Sequence, residues 1–132
     1  MLINLSNHPS GMWDLEQRQA AEKQFGNIED MKHPEIPPEA DEEFVTHLAA
    51  EYGDKIIEML SDSKQDNNKY ENAVHLMGEQ TFCFALLNYV GVDKIPFYAS
   101  TTERNVIELE NGSKQSVFKF VRFRRYTNFN AK

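Results

Sequence analysis

The spacing of apolar residues changes several times along the chain, and each change predicts a switch between strand and helix. Short apolar runs are typical of buried strands, whereas apolar residues repeated every three or four positions are typical of helices. The runs predict strands at 1–5, 28–31, 73–77 and 94–100. The helical spacing predicts helices at 14–25, 41–60 and 78–91, in alternation with those strands.

The last part of the chain predicts a β-hairpin, because Asn111-Gly112 separates strand-like segments at 105–110 and 114–125. Asn-Gly between such segments is the strongest short hairpin signal. The alternation of strands and helices favours an α/β fold, a three-layer Rossmann-like sandwich with a mainly parallel sheet and a C-terminal antiparallel hairpin. We expect a single domain over 1–126 and a C-terminal tail at 127–132.

Length and charge limit the possible functions. A chain of 132 residues is long enough for one domain with one core. Its net charge of −7 argues against binding to duplex DNA, which requires many Lys and Arg side chains on one face. Lys119, Arg122, Arg124 and Arg125 are nevertheless concentrated near the C-terminus, so a local anion site is compatible with this charge.

Other residue types bear on cofactors and location. The one cysteine, Cys83, lies in an apolar run and is expected to pack as a small buried residue. The histidines show no paired metal-ligand spacing, and no P-loop or G-x-G-x-x-G motif is present, so no metal or other cofactor is expected. His75 lies inside a strand and is expected to be a core histidine with satisfied hydrogen bonds. The lack of a leader and of an apolar stretch of ~20 residues predicts a cytoplasmic protein without membrane contact.

Three polar segments follow predicted strands, and they are the main functional signal of the sequence. They cover 6–11, 77–81 and 99–104. In an open parallel sheet all three would lie at the carboxyl edge, where such folds bind ligands. Their small residues, hydroxyls and amides, with a histidine and an arginine, suit a phosphate or a ribose.

The segment that opens the third helix predicts an anion site. The first N–H groups of a helix have no partner within the helix, so a phosphate or carboxylate fits there. The candidate residues are Gly78, Glu79, Gln80 and Thr81, with Thr81 adding a hydroxyl. Glu79 opposes a fully anionic ligand unless it contacts a ribose hydroxyl. The alternative is helix capping without a ligand.

The first polar segment predicts ligand contacts from Asn7, His8, Ser10 and Gly11. His8 can donate, accept or titrate near neutral pH. Trp13 follows closely and either covers a base by stacking or anchors the first helix on the sheet.

The last polar segment places Ser100, Thr101 and Thr102 next to Arg104. Several hydroxyls and a guanidinium suit a phosphate that accepts several hydrogen bonds at once. The alternative is a strand end at which Glu103 and Arg104 form a surface ion pair, a contact that contributes little.

The three segments resemble those of small Rossmann-like proteins found beside CRISPR systems, which are similar to the CRISPR-associated Rossmann-fold (CARF) domains. The matching strings are Leu-Ile-Asn-Leu-Ser-Asn-His-Pro, Met-Gly-Glu-Gln-Thr-Phe and Ala-Ser-Thr-Thr-Glu-Arg. The resemblance implies a twofold dimer in which the ends of the first and fourth strands of both subunits bind a cyclic oligoadenylate. It also implies that the ring can be cleaved without metal, through attack of a ribose 2′-hydroxyl on the adjacent phosphate.

Carried onto this chain, the resemblance assigns His8, Ser10 and Gly11 to the first part of the site. It assigns Ser100, Thr101, Thr102 and Arg104 to the second part. The chain differs from CARF effectors because it has no attached nuclease domain and no lysine in the three segments. The first difference favours a stand-alone ring nuclease or a sensor, and the second argues against strong catalysis.

The leading hypothesis is therefore a homodimeric, CARF-like binder of a cyclic oligoadenylate, with His8, Thr101 and Arg104 as catalytic residues of a metal-independent ring nuclease. A second hypothesis is a non-catalytic protein that docks on a partner or on RNA. Its docking strand is basic and aromatic and comprises Phe118, Phe120, Arg122, Phe123, Arg124, Arg125 and Tyr126. A third is a small transferase or a glycosidase that uses Glu79 or Glu103.

Overall fold

The computed structural model describes residues 1–63 and 69–129, which form a five-stranded mixed sheet with three α-helices. The strands are β1 (Leu2–Leu5), β2 (Ile28–Asp30), β3 (Ala73–Leu76), β4 (Phe97–Glu108) and β5 (Lys114–Arg125). The helices are α1 (Leu15–Phe25), α2 (Glu42–Ser61) and α3 (Gln80–Val90), with a 3₁₀ turn at Ser10–Met12. The sheet order is β2-β1-β3-β4-β5, and only the β4–β5 pair is antiparallel. The predicted mixed sheet, mainly parallel with a C-terminal hairpin, is confirmed.

Two apolar clusters use alternate residues of the central strands. Ile3, Leu5 and Val74 pack in one cluster with residues of α2 and α3. Leu2 and Ala73 pack in the other cluster with residues of α1 and β5. Successive side chains of a strand point to opposite sides of a sheet, so β1 and β3 are buried on both sides. This double burial explains why their sequences are apolar runs rather than alternating ones.

The predicted helix ends agree with the structure. Asp14 and Asp41 cap α1 and α2, where their carboxylates accept hydrogen bonds from Gln17 N (2.8 Å) and Phe44 N (2.9 Å). Gly91 follows α3 with a φ of 90°, a backbone conformation that suits glycine. The helices are therefore set by local chemistry as well as by their apolar faces.

The structure corrects the prediction for 94–110. The expected strand at 94–100 and the first hairpin strand form one continuous strand, β4, so the polar segment 99–104 lies within a strand and not at a loop. The reason is β5, which pairs with β4 from Tyr98 to Glu108 and keeps the backbone extended. Only Phe97 and Tyr98 pair with β3. The rest of the hairpin projects beyond the sheet as a two-stranded extension, which we call the arm.

The remaining predictions concern segments and single residues. Cys83 is buried as expected, and burial raises the pKa of its thiol to about 11. No helix within the described ranges is long and apolar enough to cross a membrane. Residues 61–72 are polar and lack periodicity, which predicts a loop after α2, but 64–68 of this loop and 130–132 of the predicted tail lie outside the described residues.

Candidate functional site

A pocket of 620 Å³ lies at the carboxyl ends of β1 and β3, beside the part of β4 that follows its short pairing with β3. It is closed on one side by the start of α1 and on another by the base of the arm. Its lining combines hydroxyl, imidazole and aromatic groups. The lining residues are Ser6, Asn7, His8, Met12, Trp13, Asp14, Gln17, His75, Met77, Gly78, Ser100, Thr102 and Phe118.

Beneath this pocket, a buried Asn4 connects two strands and a loop. It is 1% exposed, although it sits in the apolar strand β1, and in the sheet it is the direct neighbour of His75. Its amide nitrogen donates to the His8 carbonyl and to Asp30 Oδ1, both at 2.9 Å. Its amide oxygen accepts from Ser6 Oγ at 2.9 Å. All polar atoms of Asn4 are thus used inside the protein.

His75 links Asn4 to the pocket. Its Nδ1 lies 2.8 Å from Asn4 Oδ1, and its Nε2 lies 3.1 Å from Ser100 Oγ. The ring is 2% exposed, and burial, with a smaller contribution from His8, lowers its pKa from 6.5 to about 4. Histidine 75 is therefore neutral at physiological pH. The expectation of a core histidine with satisfied hydrogen bonds is confirmed, and its second partner lines the pocket.

Asp30, at the end of β2, fixes the loop after β1. Its carboxylate accepts hydrogen bonds from Ser10 N (3.0 Å) and Ser10 Oγ (2.9 Å). Burial raises the pKa of Asp30, but the hydrogen bonds from Asn4 and Ser10 outweigh burial, and the net pKa is lowered. Ser10, a predicted ligand contact, is buried and has its hydroxyl on Asp30. Gly11, its exposed neighbour, is not among the pocket residues.

His8 and Asn7 do line the pocket, as their position after β1 predicts. The loop that carries them is held by the His8 carbonyl, which accepts from Ser6 Oγ (3.2 Å) and from Trp13 Nε1 (3.1 Å). The His8 side chain itself is exposed. The Trp13 ring packs against His75, with ring centroids 5.3 Å apart, and also lines the pocket, so stacking on a base stays a prediction.

A carboxylate of the chain itself, that of Glu79, caps the N–H groups at the start of α3. Glu79 accepts from Thr81 N (2.6 Å), Phe82 N (3.2 Å) and the Thr81 hydroxyl. These hydrogen bonds, the Thr81 hydroxyl first, lower the pKa of Glu79. Gly78 lines the pocket, whereas Gln80 and Thr81 line a different cavity between α2 and α3. An anion at this helix end would have to displace the Glu79 carboxylate.

The residues of β4 are divided between the pocket and the arm. Ser100 and Thr102 line the pocket. Thr101 does not, and its hydroxyl exchanges hydrogen bonds with the backbone of Arg122 on β5, both at 3.2 Å. The Arg104 guanidinium donates to Ser116 Oγ across the arm, at 3.0 and 3.1 Å. The four residues predicted to act on one phosphate are therefore not brought together within one copy of the chain.

A family model matches most of the chain. The model of the Uncharacterized protein MJ1673 family covers residues 1–124. The chain belongs to the MJ1673 family. Every residue that lines the pocket lies within the matched range. No curated protein and no solved structure matches the chain.

The charge around the pocket of this MJ1673-family chain is low. Within the described residues its lining contains no Lys or Arg and one carboxylate, Asp14. The described part of the chain also has no group of three or more His, Cys, Asp or Glu side chains placed to hold a metal ion. A ligand of this pocket would therefore be bound chiefly by neutral hydrogen-bonding groups and by aromatic rings.

Sequence reasoning missed the buried residues that support the pocket of this MJ1673-family chain. The prediction from sequence does not include Asn4 or Asp30, and it assigns His75 to the core alone. A signal is present, because Asn4 and His75 are the polar residues of two otherwise apolar four-residue strands. Burying a polar side chain in such a strand is costly unless it is hydrogen-bonded, so two such residues in neighbouring strands indicate a hydrogen-bonded pair.

Proposed function

We propose that this chain is a CARF-like protein that binds a cyclic oligoadenylate at the pocket and cleaves the ring without a metal ion. The observation that carries the proposal is the set of groups gathered at one sheet edge. Ser6, Ser100 and Thr102 place hydroxyl oxygens at the pocket for hydrogen bonds with a nucleotide, and Trp13 offers an aromatic face for a base. His8 adds an imidazole, whose ring nitrogens can accept and donate protons.

The fold is consistent with this proposal. The two apolar clusters on alternate residues of β1 and β3 support a Rossmann-like three-layer sandwich, with α1 in one outer layer and α2 and α3 in the other. In such folds the carboxyl ends of the parallel strands form the ligand site. The pocket occupies that position.

The size of the pocket supports a homodimer. Its 620 Å³ fall within the roughly 300–1,000 Å³ of pockets that hold one small ligand. A ring of four or six nucleotides is larger, so two copies would have to bind it together across a twofold axis. The arm offers apolar surface for such contacts, because Val106, Ile107 and Phe118 are exposed on it. Arg104 lies on the same arm and would reach the shared site from the facing copy.

In the proposed reaction the attacking group is a hydroxyl of the substrate itself. His8 accepts the proton of a ribose 2′-hydroxyl, and the 2′-oxygen attacks the adjacent phosphorus. The bond from phosphorus to the 5′-oxygen breaks, and the 5′-oxygen takes up a proton. The product ends in a 2′,3′-cyclic phosphate. Arg104 of the facing copy would stabilise the negative charge of the transition state.

This proposal predicts a selective effect of His8→Ala. Purified protein is mixed with cyclic tetra- or hexa-adenylate in EDTA, and the products are followed by mass spectrometry. We expect the wild-type chain to shorten the ring, and His8→Ala to slow this by about 10²- to 10⁴-fold, the usual contribution of an acid–base group. The matched control is His47→Ala, since His47 is an exposed histidine on α2 and should leave the rate unchanged.

Two other results of this experiment would change the proposed function. Intact rings that raise the melting temperature would indicate a sensor without cleavage. Intact rings without any thermal shift would contradict the proposal.

The rival hypotheses have less support. Of the aromatic residues of the proposed docking strand, Phe120 and Phe123 are buried, and Tyr126 donates its hydroxyl to the Leu76 carbonyl, which leaves Phe118 exposed. A glycosidase acid needs a raised pKa, whereas that of Glu79 is lowered.

A further inference from the structure

We propose that Ser100 accepts a hydrogen bond from a neutral donor of the bound nucleotide, either a ribose 2′-hydroxyl or an adenine amino group, and does not bind phosphate. This inference rests on the function proposed above and identifies what one wall of the pocket recognises. It differs from the expectation from sequence, in which the Ser100 hydroxyl donates to phosphate. It follows from a chain of hydrogen bonds whose direction is fixed at its buried end.

Asp30 fixes that direction. Its pKa is lowered, so it is a carboxylate at neutral pH and can only accept hydrogen bonds. The His8 backbone carbonyl, the second neighbour of the Asn4 amide nitrogen, also can only accept. Both lie 2.9 Å from Asn4 Nδ2. The NH₂ group of Asn4 must therefore face these two groups, which leaves the Asn4 carbonyl oxygen facing His75.

The orientation of Asn4 then sets the tautomer of His75. Asn4 Oδ1 can only accept, so His75 Nδ1, 2.8 Å away, carries the ring proton. His75 is neutral, and a neutral imidazole has a donor on one nitrogen and a lone pair on the other. Its Nε2 is therefore an acceptor, and it faces Ser100 Oγ at 3.1 Å.

The hydroxyl hydrogen of Ser100 is consequently directed into the protein. Its other polar neighbour, the Met77 sulfur at 3.0 Å, is also an acceptor. Whichever of the two receives the hydrogen, Ser100 presents oxygen lone pairs to the pocket that it lines. A phosphate oxygen, which also carries only lone pairs at neutral pH, would be repelled there, whereas an O–H or N–H group would be bound.

The experiment compares three rings: cyclic tetra-adenylate, its 2′-deoxy analogue and the corresponding cyclic tetra-inosinate, which lacks the amino groups. Affinity is measured at pH 7 for the wild-type chain and for Ser100→Ala by calorimetric titrations that are completed before appreciable cleavage, and mass spectrometry measures the fraction of each ring that is still intact at the end. We expect one of the analogues to bind the wild-type chain about three- to tenfold more weakly than the adenylate ring. The ratio of the dissociation constants of that analogue and of the adenylate ring should fall to about one in Ser100→Ala. The analogue concerned identifies which donor meets Ser100.

Thr102→Val provides the matched control, since it removes the neighbouring pocket hydroxyl and should keep the wild-type ratios. If Ser100→Ala weakens all three rings equally, Ser100 contacts phosphate and the inference is overturned while the proposed function stands. If no ring binds the wild-type chain, the proposed function fails and the inference fails with it.

A second readout needs no ligand. The ¹⁵N chemical shifts of the His75 ring, assigned by their loss in His75→Gln, report which nitrogen carries the proton. We expect the proton on Nδ1 at pH 7. A proton on Nε2 would mean that the Ser100 hydroxyl hydrogen is not held by His75, and it would overturn the inference even if the rings bind.

Discussion

Gly78→Ala is expected to lower the free energy of unfolding by about 2 to 3 kcal/mol, because position 78 has no room for a side chain. A Cβ atom there would lie 2.0 Å from His33 Nε2 and 2.6 Å from His33 Cε1. The His33 ring is buried, packs against Phe82 at 5.4 Å, and has Nδ1 3.0 Å from the Pro34 carbonyl. It cannot turn aside without losing these contacts. Urea unfolding followed by circular dichroism measures the change.

The chain offers a matched control for this substitution. Gly11 is exposed, and a Cβ atom there would meet nothing within 4 Å, so Gly11→Ala should change the free energy of unfolding by less than about 0.5 kcal/mol. In a His33→Ala background, Gly78→Ala should also become nearly neutral, since the clashing ring is gone. Equal stabilities of the two single-glycine variants would show that the close approach of His33 to Gly78 is wrong.

The second large effect is a loss of stability in mild acid that originates at His75. The unfolded chain binds a proton at this residue near pH 6.5, whereas the folded chain binds it only near pH 4. Between these values the unfolded state holds more protons, so lowering the pH favours it. We expect the free energy of unfolding to fall by about 2 to 3 kcal/mol from pH 7 to pH 4.5 for this reason. Above pH 6.5 the contribution is fully present.

Urea unfolding at a series of pH values tests this expectation, with His75→Gln as the non-titrating control. A glutamine amide at this position can also donate to Asn4 and accept from Ser100, but it does not titrate. The difference between the two curves isolates His75 from the carboxylates of the chain, which act on both proteins alike. Parallel curves between pH 7 and pH 4.5 would mean that His75 titrates normally in the folded protein.

Much of the fold could be predicted because it depends on local signals. Apolar runs, helical spacing and Asn111-Gly112 predict most of the strands, the helices and the hairpin close to their observed bounds. The continuous strand β4 could not be predicted in this way. The polar residues of 99–104 resemble a loop when they are considered alone, and what keeps them extended is hydrogen bonding to a strand that comes later in the chain.

The location of the pocket could be predicted from the sequence, but not its lining. Small polar residues after strands indicated the edge of the sheet at which the pocket lies, and His8, Ser100 and Thr102 line it. Which hydroxyls face the pocket depends on three-dimensional contacts. Ser10 is turned toward Asp30, and Thr101 toward the backbone of β5. No spacing along the sequence distinguishes a serine that binds a ligand from one that holds a loop.

The pairing of Asn4 with His75 has a further consequence for how the sheet assembles. Strands that are apolar on both sides can slide past one another by a residue without exposing apolar surface, so hydrophobicity alone sets their alignment weakly. In β1 and β3 a slip of one residue would separate Asn4 from His75 and leave two polar groups without partners between apolar neighbours. The residues that give the pocket its hydrogen-bonding direction thus also determine which residues of the two strands become neighbours during folding.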